Sequence, residues 1–96
     1  MIVIALLAAA AMPGIYGPGD MSCEAVIKAE NTQRVGDYVT GIWSGMNMAG
    51  NTPEVGHTTD ARGILLQVLE VCQAYPKLKL AYAVLGVHMK FEKRHY

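Results

Sequence analysis

The sequence predicts an all-α domain, a small four-helix bundle with one disulfide. Three observations carry that expectation: apolar residues recur at helical spacing, strand-like alternation is scarce, and the chain has two cysteines. Ninety-six residues fit one small domain. Hydrophobic residues make up 52% and charged residues 17%, which argues against disorder and leaves apolar surface for a partner. Lys plus Arg equals Asp plus Glu at eight each, so the basic excess expected of a nucleic-acid binder is missing. The cations Lys90, Lys93 and Arg94 suit a solvated helix C-terminus.

Residues 1–17 read as an export signal and 18–96 as the helical domain. "MIVIALLAAAAMPGIYG" holds an unbroken apolar run from Met1 to Met12, followed by helix breakers. A stable membrane span needs about 20 apolar residues, so the run fits the apolar core of a secretory signal instead. No Lys or Arg precedes it, and cleavage after Ala10, Ala11 or Gly17 would suit the small residues there. The expected location is the periplasm, and the expected mature domain has about 80 residues, a size at which a covalent staple helps.

Export decides how Cys23 and Cys72 are read. In an oxidising compartment two cysteines are most simply one disulfide. They lie too far apart for a redox motif with two intervening residues, and His57, His88 and His95 do not complete a zinc ligand set at regular spacing. A nucleophilic Cys/His pair has no local signature and stands as the alternative. Closing a loop of this length stabilises by roughly 4 kcal/mol in the chain-entropy model.

The elements follow in order. Helix one starts at a cap on Asp20 or Ser22 and runs through "CEAVIKAE" to Asn31–Thr32, with Cys23, Val26 and Ile27 on one face. Helix two spans "QRVGDYVTGIWSGMNMA", where Val35, Tyr38, Val39, Ile42, Trp43 and Met46 keep the helical period. Gly36, Gly41 and Gly45 lie inside it at a cost of about 1 kcal/mol each, so close approach of another backbone is expected on that face. Gly50 should end it, and "NTPEVGHTT" is a loop. Thr58, Thr59 or Asp60 caps helix three, whose apolar side carries Ile64, Leu65, Val68, Val71, Cys72 and Tyr75 and which Pro76 stops. Helix four spans Leu78 to Glu92, with an inner stripe of Leu80, Val84, Val87 and Phe91 and with Ala81, Leu85 and His88 beside it. His88 is expected in the core or an interface, where its charging below about pH 6.5 weakens packing.

"DMSC" at 20–23, the Trp-bearing middle helix, "VLEVCQAYPKLKL" at 68–80 and the spacing of the cysteines resemble the HdeA/HdeB family of exported acid-stress chaperones. The resemblance covers residues 20–91 and implies a small four-helix, HdeA-like orthogonal bundle, with Cys23 and Cys72 matching the family's disulfide cysteines. It implies a holdase: a neutral-pH homodimer that strong acid loosens, exposing apolar surface to unfolded or acid-denatured proteins. The client- or dimer-binding stripe would be Val39, Ile42, Trp43 and Met46, with Met48 at its end. Full protonation of the carboxylates would leave a charge of about +11, and self-repulsion of that size loosens a compact state.

"YVTGIWSGMN" departs from the best-known members and resembles a YxxGxxxG helix of other small exported HdeA-like proteins and of amidase-immunity proteins of type VI secretion. The competing expectation is therefore an interaction protein that binds one specific partner, such as a secreted amidase toxin. That reading predicts a protruding "NTPEVGHTTD" loop, with Glu54 and His57 as its polar side chains. No carboxylate pair, nucleophile elbow, phosphate loop or metal triad is visible, so the expectation is a non-enzyme with no catalytic residue, cofactor or metal.

Overall fold

A computed structural model describes residues 14–94, and all of the helical elements below lie within them. The expected signal segment falls mostly on residues 1–13, outside the described residues. Gly17–Asp20 forms a 3-10 turn, Cys23–Val26 a single α-turn (α1), and Ala29–Asn31 a second 3-10 turn. Three longer helices follow: α2 over Thr32–Ala49, α3 over Ala61–Ala74 and α4 over Leu80–Arg94. The described residues are thus all-α with four helices and one disulfide, Cys23–Cys72, which joins the start of α1 to the end of α3. The Cα atoms of that pair are 4.6 Å apart.

The expected first helix is broken after one turn, and two sets of contacts explain the break. Ser22 caps α1, its Oγ accepting from the Ala25 N–H. The backbone N–H groups of Cys23 and Glu24, which have no intrahelical acceptor, donate instead to Leu78 O (2.7 Å) and Pro76 O (2.8 Å). The turn after α3 thus fixes the direction of α1. The Asn31 side chain then folds back and donates to Ala25 O at 2.8 Å, so the chain closes on itself before a second α-turn forms.

In α2 the buried positions are Val35, Val39 and Trp43, one turn apart along one face. The helix ends as a Schellman motif: Thr52 N–H donates to Asn47 O (2.9 Å) and Asn51 N–H to Met48 O (3.3 Å). Gly50 still has helical dihedrals, and the left-handed residue is Asn51 at φ 55°. Asparagine tolerates that region, so the helix ends at Ala49 with Gly50 as its cap, as expected, and Asn51 supplies the left-handed residue of the motif.

The glycines of α2 correct a second expectation. A β-carbon on Gly36 would meet only the tip of Leu65 at 3.7 Å, and at Gly41 and Gly45 it would meet nothing within 4 Å. No backbone crosses them among the described residues. Gly56 is different, with φ at 95° and a built β-carbon 3.0 Å from Trp43 Nε1. Both the dihedral and the approach of the indole require glycine there.

Helix α3 begins where Asp60 Oδ1 accepts the Gly63 N–H at 2.8 Å and ends at Ala74, two residues before Pro76. It buries Ile64, Val68 and Cys72. Helix α4 starts at Leu80, later than the expected Leu78, because residues 78–80 are in use elsewhere. Ser22 and Lys79 form an isolated antiparallel bridge, and Leu80 N–H donates to Met21 O at 2.9 Å. Lys79 adds an ion pair to Asp20 at 3.3 Å, half-exposed and worth about 0–1 kcal/mol. Backbone clamp and disulfide therefore secure the same corner of the molecule. From there α4 runs across the core, burying Leu80, Ala83, Val84, Val87, His88 and Phe91.

Candidate functional site

The stripe on α2 is covered rather than open. Val39 is 1% exposed and Trp43 4%, while Ile42 and Met46 are half-buried against the core. Met48 stands outside it at 82% exposure. What covers Trp43 is the second half of α4: the Phe91 ring meets the indole edge-to-face at 5.4 Å between centroids, and the His88 ring does so at 4.7 Å. The four positions share one helical side, and two of them become accessible only if neighbouring elements move.

A chain of hydrogen bonds runs through this contact. Trp43 Nε1–H donates to the Val55 carbonyl at 3.0 Å, and the Asn47 amide nitrogen donates to the same oxygen at 3.0 Å and toward Pro53 O at 3.4 Å. One carbonyl therefore takes two donors one helical turn apart on α2. With its nitrogen committed to two carbonyls, Asn47 turns Oδ1 toward His88, whose Nε2 lies 2.7 Å away. An acceptor at that distance requires the proton on Nε2, which fixes the neutral imidazole as its Nε2–H tautomer. His88 is the one buried polar side chain among the described residues. Burial lowers its pKa below the usual histidine value, and the negative charge of Glu92 opposes that shift without cancelling it.

This network also shapes the 51–60 loop. Val55 and Gly56 are buried against Trp43, so the middle of "NTPEVGHTTD" is pinned to α2 and does not protrude. Glu54 and His57 remain on the outside, with the His57 ring against the Glu54 carbonyl at 2.9 Å. Beneath the loop Thr40, Trp43, Ser44, Asp60 and Ile64 line a cleft of about 210 Å³. A second open groove of about 410 Å³ follows the turn after α3, lined by Tyr75, Pro76, Leu78 and Tyr82 with Lys77 and Lys79. Tyr75, expected on the apolar side of α3, is 63% exposed there, because α3 ends before it.

Cys23 and Cys72, both fully buried, are joined to each other and leave no free thiol, which removes the nucleophile of a Cys/His pair. Among the described residues no group of three His, Cys, Asp or Glu side chains could hold a metal ion. No described helix is long and apolar enough to cross a membrane. Sequence reading found His88 but missed Asn47 and the Val55 carbonyl. The one available signal for Asn47 was its position one turn after Trp43. No family model, curated protein or solved structure matches the chain.

Proposed function

We propose that the chain is an exported holdase of the HdeA/HdeB type, which shelters acid-denatured proteins on apolar surface that it keeps covered at neutral pH. The observation that carries this reading is the division of labour around Trp43. The disulfide ties α1 to α3 through covalent chemistry that acid does not break, whereas α4, which covers Trp43, lies outside the Cys23–Cys72 loop. Acid that loosens packing would therefore expose Val39, Ile42, Trp43 and Met46 while the rest of the chain stays tethered. The periplasm is the compartment in which such a disulfide forms and in which external acid is felt directly. A homodimer at neutral pH belongs to the same reading.

Light scattering of an acid-denatured client at about pH 2–3 tests it. Suppression at equimolar to several-fold excess is expected, together with binding of a hydrophobic dye that is not seen at neutral pH. Unchanged client aggregation would remove the holdase function.

The second reading, a protein dedicated to one partner such as a secreted toxin, is favoured by the groove at Tyr75, Leu78 and Tyr82. It is open in the folded state and carries a large exposed aromatic ring, as recognition surfaces do. Capture of one stoichiometric partner at neutral pH, lost on Tyr75→Ala, would select this reading over the first.

A further inference from the structure

We propose that the second half of α4 is a hinged strap, held shut over Trp43 by neutral His88 and released when that ring takes up a second proton. The two ends of the helix are secured differently. At the Leu80 end the backbone bonds to Met21 and Cys23, the Ser22–Lys79 bridge and the adjacent disulfide fix the start of the helix. Toward Arg94 there is no covalent tie; the helix is held by non-covalent contacts, among them the burial of Val87 and Phe91, the Phe91 ring on Trp43, His88 on Asn47, and the exposed Lys90–Gln67 bond at 2.9 Å. Gly86 lies between the two regimes, solvent-exposed and with open space where a β-carbon would go, a low-propensity position where a helix bends readily.

Protonation acts on the weak end. The Nε2 proton is already committed to Asn47, so the second proton goes to Nδ1 and makes the buried ring a cation. From α2 Trp43 and Asn47 face the ring, and neither titrates; the Val55 carbonyl of the loop stands behind Asn47. On α4 itself Glu92 is the charge that acts on the ring; it favours the cation, but burial outweighs it. Lys90, Lys93 and Arg94 follow on the same helix, so the new charge joins an end that is already basic. The linkage sign follows from the lowered pKa: closure is favoured above the free-histidine value of about 6.5 and is lost as pH falls through the value in the closed state.

As the gate of a client-holding surface the strap rests on the holdase reading, but its test involves no client, so the two fail separately. Hydrogen exchange of the disulfide-bonded protein, corrected for intrinsic rates, should show protection of residues 84–94 several-fold lower at pH 5 than at pH 7, with residues 61–74 unchanged. His88→Gln, which keeps a donor toward Asn47 and cannot charge, should abolish that pH dependence. If that variant does not fold, NMR titration of the wild-type His88 ring decides. A ring pKa at or above the free-histidine value, or loss of protection spread equally over α3 and α4, would overturn the proposal.

Discussion

His88 Nε2 lies 2.7 Å from Asn47 Oδ1, a side-chain hydrogen bond across 41 residues of chain that joins α4 to α2 beside the only tryptophan. Every polar atom in that contact has its direction set by the next: Val55 O takes Trp43 and Asn47, and Asn47 takes His88. A buried polar chain of this kind is specific because any member placed wrongly leaves another without a partner.

Asn47 is the member whose replacement separates the terms. Asn47→Leu should destabilise by about 1–3 kcal/mol, because it leaves the His88 donor unpaired while Val55 O keeps only the indole. Asn47→Asp should behave differently. Its carboxylate loses the donor that faces Pro53 and Val55, yet its charge near the ring should raise the His88 pKa above that of the wild type. Urea unfolding checks the first effect, and NMR titration of the His88 ring checks the second.

The disulfide should be worth more than any single core contact. Replacing both Cys23 and Cys72 with serine should cost about 4 kcal/mol from unfolded-state entropy, before the loss of two buried sulfurs is counted. Unfolding of the oxidised protein with and without reductant measures it. The intact mass of exported protein should fall short of the reduced chain by two hydrogens.

The glycines of α2 have a predicted sign. Gly41 and Gly45 lie exposed in a helix with open space where a β-carbon would go, so alanine at each should stabilise by up to about 1 kcal/mol. Gly56→Ala should destabilise, given its positive φ and the adjacent indole. Thermal unfolding of the three variants shows the contrast. If α2 pairs with a second copy through Gly41 and Gly45, the first two variants should also weaken the dimer in sedimentation.

How far the fold could be read in the sequence depended on how local each signal was. Asp60 and Pro76 mark the ends of α3 because capping and the missing proline donor act within a few residues. The period of Val35, Val39 and Trp43 marks the buried face of α2 for the same reason. The break after Val26 was hidden, since it depends on Pro76 and Leu78 accepting hydrogen bonds from residues more than fifty positions away. The glycines of α2 misled because helix propensity registers their cost without showing what, if anything, lies opposite. The site was half legible: apolar period picked out Trp43 and the position of His88, whereas the Asn47 and Val55 partners exist only once α4 and the loop have docked on α2.

Emission from Trp43, the single tryptophan, reports directly on whether this chain stores apolar surface under α4. In the disulfide-bonded protein, acidification to about pH 2–3 should shift that emission to the red while much of the helical circular dichroism persists, and return to neutral pH should reverse it. A Trp43 spectrum that stays blue throughout, with α4 in place at the acid limit, would contradict the stored-surface claim.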